Sequence, residues 1–137
     1  MSTKARINRI TAQAKRTFNV SPAVRIVKRK AFKNEVGDPQ RGGTYKYFQD
    51  CILINRDVAR SYKPPHLKWM IFHEFGHAYT ARVFATHRFL PIVYYAPTID
   101  DALMKNIIKP MWQGLCDHLI NALVKNKTGL KNQPGLN

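Results

Sequence analysis

The chain has 137 residues, 45% of them hydrophobic, with 23 Lys+Arg against 8 Asp+Glu and a formal net charge of +15. That length and apolar content fit one packed domain, leave no room for a second, and exclude a disordered chain. No apolar run approaches the roughly 20 residues of a membrane span, and the N-terminus lacks the apolar stretch of a secretory signal. Two cysteines, Cys51 and Cys116, make no disulfide framework. The expectation is an intracellular, cytoplasmic protein with no membrane partner.

Residues 3–18 place Ile7, Ile10, Ala14 and Phe18 at helical spacing, which predicts a first helix. The first 33 residues hold ten basic residues and no acid. Such clustering fits a polyanion, so nucleic acid is a candidate partner of this basic third. The apolar face of the segment is too small for binding at a membrane surface. Ser21-Pro22 ends the helical pattern, and residues 23–29 (AVRIVKR) are β-branched and predict a strand. Residues 34–43 read as a turn-rich loop. Two strands follow, at 44–48 (TYKYF) and 51–55 (CILIN), with Gln49-Asp50 as a tight hairpin turn. Residues 56–63 read as a polar connector. Pro64-Pro65 suits a helix start, and that helix is predicted from about residue 66 into the 80s. Pro91 and Pro97 bracket an apolar loop containing Tyr94 and Tyr95. A last helix is predicted over 100–126, kinked at Pro110. Its main apolar stripe is Met104, Ile108, Met111, Leu115, Leu119 and Ala122. Residues 127–137 are Gly-, Pro- and Asn-rich and read as a flexible tail. The order predicts a single α+β domain over 1–126: a helix, three short strands and two helices.

One motif carries chemistry. His73-Glu74-Phe75-Gly76-His77 is an HExxH pattern on the predicted helix, flanked by apolar Trp69, Met70, Ile71 and Phe72. Residues four apart share a helix face, so His73 and His77 can aim two imidazoles at one zinc ion. Glu74 follows the first of them and is placed to take a proton from a zinc-activated water as general base.

A catalytic zinc needs a third protein ligand. No glutamate follows Glu74. Asp117, in GLCDHLINALV, lies off the main apolar stripe, on a second face with Gly114, Asn121 and Val124, and is the leading candidate. His87 would serve only if the chain doubled back between residues 77 and 87, and no glycine or proline lies there to turn it. His118 flanks the apolar stripe, where a histidine more often packs at a core edge. Asp100 and Asp101 read as helix-start acids, and Cys116 as a small buried hydrophobe. Tyr79, Tyr94 and Tyr95 are candidate donors to an oxyanion, although aromatic packing is the commoner role.

The arrangement CILIN … KWMIFHEFGHAYT … MWQGLCDHLINALV resembles small HExxH zinc peptidases of the ImmA/IrrE type, over about residues 44–124. The resemblance implies a minimal zincin-like fold, a Zn2+ cofactor and a peptide or protein substrate. Aligning Cys116-Asp117 with that family's pattern puts its ligand glutamate at Gln113, a poor zinc ligand. Asp117 then either binds zinc itself or orients a ligand histidine. The chain is also similar to SprT-type proteases, which act on DNA-bound proteins and take a downstream histidine as ligand. That similarity would point to His87, but the glycine usual beside that histidine is missing here. The reading is a zinc metallopeptidase with an extended peptide held against an edge strand near Ile52–Asn55. The alternative is a basic nucleic-acid-binding or regulatory protein with a vestigial or structural HExxH.

Overall fold

The structure, a computed structural model, describes residues 1–86 and 109–130, apart from the side chains of residues 84–86, 109, 112 and 113. Among these residues it is α+β, with five α-helices and one three-stranded mixed sheet.

Helix α1 (Thr3–Phe18) opens with Ser2, whose Oγ accepts the Ala5 N–H at 3.1 Å, and closes on Asn19 in the left-handed conformation. It buries Ile7, Thr11, Ala14 and Phe18, the face read from the sequence. Strand β1 is shorter than expected, Ala23–Val27. The chain then enters a helix that the sequence did not announce, α2 (Arg29–Val36), where residues 34–36 were read as loop. Eight residues with one buried side chain, Phe32, are too few for a clear helical period. Gly37 at φ 89° ends α2, a stop signal that stands in the sequence.

Strand β2 (Gly43–Lys46) and strand β3 (Cys51–Asn55) pair antiparallel, Lys46 opposite Cys51. The link between them is not the expected two-residue turn. It is a 3-10 turn, Tyr47–Gln49, closed by Asp50 at φ 46°. The sheet order is β1-β3-β2, with β1 parallel to β3. Residues Ile52–Asn55 therefore form the middle of the sheet, not an edge. The edges are β1 and β2.

All five residues of β3 are buried, so both faces of the sheet are covered. Alternation divides them. Ile52 and Ile54 join the main core with Ile7, Phe18, Phe72 and Phe75 of the long helices. The opposite face belongs to α2. Its Glu35 binds Arg25 of β1 at 3.1 Å and Lys46 of β2 at 2.8 Å, and both lie in register with residues of β3 on the Leu53 side.

The segment read as a connector contains helix α3 (Arg56–Ser61). Asn55 ends β3 and caps α3, accepting the Val58 N–H at 3.3 Å. Helix α4 (Pro64–Thr86) then carries the HExxH sequence. It is apolar on most sides because it touches α1, β2 and the last helix together. That last helix, α5, runs Lys109–Thr128, with Pro110 in its first described turn. It continues two residues past the expected end at 126, and Gly129 at φ 73° follows. The expected helical stretch 100–108 and the loop between Pro91 and Pro97 lie outside the described residues.

Helix α5 corrects the sequence reading in one more respect. Met111, Leu115 and Leu119, expected to face the core, are 61%, 60% and 45% exposed. Among its described side chains, the buried ones are Cys116, Ile120 and Val124.

Candidate metal centre

Each side chain of the site is set by a face of α4. Phe72 and Tyr79 point to α1, where both meet the ring of Phe18, at 6.1 and 5.8 Å between centroids. Tyr79 is thus core packing. Glu74, 5% exposed, points to the sheet edge. A Cβ added to Gly43 of β2 would stand 3.6 Å from Glu74 Cγ and 2.8 Å from Met70 Sδ. The missing side chain at Gly43 is what lets α4 lie this close to β2. His73, Gly76 and His77 face α5.

Gly76 has the matching role on that side. A Cβ there would overlap Ile120 Cγ2. The glycine inside the motif lets α5 approach α4, and that approach carries Asp117 and Asn121, one turn apart, onto the two histidines, themselves one turn apart.

Asp117 Oδ1 lies 3.1 Å from His73 Nε2 and 2.9 Å from His77 Nε2. One ligand atom from each of His73, Glu74 and His77 falls within 4.8 Å of the others. The two Asp117 contacts are of hydrogen-bond length, and they are close to the about 3.3 Å that separates two ligands of a tetrahedral metal ion. Asn121 Oδ1 lies 3.0 Å from His73 Nδ1. An amide oxygen only accepts, so His73 carries a proton on Nδ1 and directs Nε2 toward Asp117. Trp69 stacks on the His73 ring at 4.9 Å between centroids and holds it from the other side.

The electrostatics follow from these contacts. Hydrogen bonds from His73 and His77 hold the Asp117 carboxyl far below its ordinary range, against a smaller opposing effect of burial. Burial works against a charge on His73. The hydrogen bonds to Asp117 and Asn121 and the field of Glu74 outweigh it, and its pKa is raised. Cys116, beside Asp117, has its thiol pushed up to about 11, first by burial and then by the neighbouring carboxylate. Its side chain belongs to the buried core cluster, as a small hydrophobe.

The structure thus brings together His73, Glu74, His77 and Asp117. His118 is exposed, and no contact joins it to the site among the described residues. Gln113 lies on α5 one turn before Asp117, and nothing is described of its side chain. His87, Tyr94 and Tyr95 lie outside the described residues. Asn121 is the site residue that the sequence reading gave no role. Its signal was its position four residues after Asp117, repeating the spacing of the histidines.

Comparison of the chain with protein-family models, with curated proteins and with solved structures gave no match.

Proposed function

We propose that this chain is a zinc-dependent metallopeptidase of zincin type, as its resemblance to the ImmA/IrrE-type peptidases implies. The observation that carries the reading is the meeting of two helix faces. Nε2 of His73 and of His77 converge on one Asp117 oxygen, with Glu74 next in sequence to the first histidine. His73, His77 and Asp117 would hold the ion, and Asn121 would fix the His73 ring. Asp117 is preferred to Glu74 as third ligand because it touches both imidazoles, while Glu74 leans toward β2.

Bound zinc supplies Lewis acidity, which acidifies water and polarises a carbonyl. Glu74 takes the proton from the attacking water and later returns it to the leaving amine. Strand β2 is the sheet edge beside Glu74, and an extended peptide added there would lie along α4. Two unpaired, buried cysteines accord with a reducing, cytoplasmic setting.

The test is Glu74→Gln, assayed on an unstructured protein substrate with zinc content measured in parallel. Hydrolysis should fall by about 100-fold to 10,000-fold, the usual contribution of a general base, while zinc is retained. Unchanged hydrolysis would remove Glu74 from this role. A chain that takes up no zinc would favour a vestigial HExxH.

A further inference from the structure

Of the +15 net charge, five positive charges sit on α1, which has no acid in its sixteen residues. The structure shows where they point. Lys4, Asn8, Arg9, Ala12, Lys15 and Arg16 are all exposed and recur at helical spacing, so they share the outer face of α1. Among the described residues no carboxylate lies within ion-pair distance of any of them. Helix α2 is also basic, but Glu35 lies on it and Asp57 caps its first turn at 2.8 Å from the Arg29 nitrogen.

The composition of the α1 face selects the partner. Its apolar side, Ile7, Ala14 and Phe18, is buried in the core, so α1 has nothing to insert into a lipid surface. The outer face has no aromatic or large aliphatic side chain to anchor a protein interface or to stack on unpaired bases. It offers only Lys, Arg and Asn donors, the set that binds phosphate oxygens. Sixteen helical residues extend about 24 Å, along which duplex DNA presents about one charge every 1.7 Å. An exposed helix about 10–12 Å across is admitted by the major groove of B-DNA and not by the deep, narrow one of duplex RNA.

We infer that the outer face of α1 is a docking surface for duplex DNA, bound through its phosphates without sequence preference. Helix α4 stands between this surface and the metal centre, since α1 packs on its Phe72 and Tyr79 side and α5 on its His73 and His77 side. DNA bound at α1 therefore leaves the metal centre open.

The test is fluorescence anisotropy with a short mixed-sequence DNA duplex, titrated between about 50 and 200 mM salt. Two triple variants each remove three positive charges. Arg9→Gln/Lys15→Gln/Arg16→Gln lies on α1. Lys28→Gln/Lys30→Gln/Lys33→Gln lies at α2, on the opposite face of the sheet. Glutamine matches lysine and arginine closely in helix propensity, so both should fold, which circular dichroism checks. The α1 variant should bind about tenfold or more weakly, with a salt slope shallower by about 2.7, or 0.9 for each lost phosphate contact. The α2 variant should stay within about twofold of the original chain, since it alters no phosphate contact. Equal weakening in both variants would reduce the effect to net charge and overturn the proposal. So would an unchanged α1 variant, or tighter binding of single-stranded DNA or of phosphatidylserine vesicles than of the duplex.

Discussion

Helices α1 and α5 both pack an apolar face on α4, and they differ in what they place beside it and what they leave outside. Helix α1 turns its apolar residues inward and its charges to solvent. Helix α5 places Asp117 and Asn121 against α4 and leaves Met111, Leu115 and Leu119 exposed. For α1 the hydrophobic effect alone sets the rotation of the helix. For α5 the rotation follows a narrower apolar face, Cys116, Ile120 and Val124, together with the seat of Ile120 on Gly76 and the contact of Asp117 and Asn121 with the histidines. Helix α5 thus brings a carboxylate to two imidazoles while three of its large apolar residues stay at the surface.

Truncating apolar residues on both helices probes this difference most strongly. Ile7→Ala, on the buried side of α1, should cost about 2–5 kcal/mol. Leu115→Ala on the outer side of α5 should stay within about 0.5 kcal/mol. Denaturant melts of both variants measure the gap, and equal losses would mean that α5 is rotated the other way.

Gly76→Ala should come next. The added methyl meets Ile120 and forces α5 outward, at about 1–3 kcal/mol for overpacking, less about 1 kcal/mol gained in helix propensity. The melting temperature should fall, and metal affinity should fall with it as Asp117 withdraws. A rise in melting temperature with metal affinity intact would contradict the close contact.

A smaller effect is the pH dependence of the metal-free chain. The Asp117 pKa is lowered from 3.8, so its stabilisation is present above that value and is lost as pH falls through the folded-state pKa. The His73 pKa is raised from 6.5, so its stabilisation is present below that value and is lost as pH rises through the folded-state pKa. Both act together between about pH 4 and 6.5, where the chelated protein should melt highest. Zinc requires neutral imidazoles, so its added stabilisation should grow above that window. Parallel melts with chelator and with zinc check both directions, and identical pH profiles would separate the histidines from the metal.

What the sequence disclosed follows from element length and from the number of causes acting on each residue. Helix α1 and strand β3 were legible because each has one dominant signal, a helical apolar face and a fully apolar run. Helix α4 was legible from Pro64 and the WMIF stretch. Helices α2 and α3, at eight and six residues, are shorter than the period test can resolve, although Gly37 and Asn55 marked an end and a start. Strand β3 was placed at an edge because strand order is a long-range property. Its parallel partner β1 is distant in sequence, and only burial on both faces reveals the middle position. At the site, the HExxH spacing pointed to His73, Glu74 and His77, and the second face of α5 pointed to Asp117. The rotation of α5 was hidden because its strongest periodic signal belongs to the exposed side.

The central claim is that Asp117 completes a metal site with His73 and His77, and zinc titration of the purified chain beside its Asp117→Ala variant tests it most directly. One zinc per chain in the original protein, with affinity in the variant lowered by more than the roughly 10- to 100-fold that losing a supporting contact brings, is the predicted result. Equal zinc affinity in the two proteins, or no zinc in either, would contradict it.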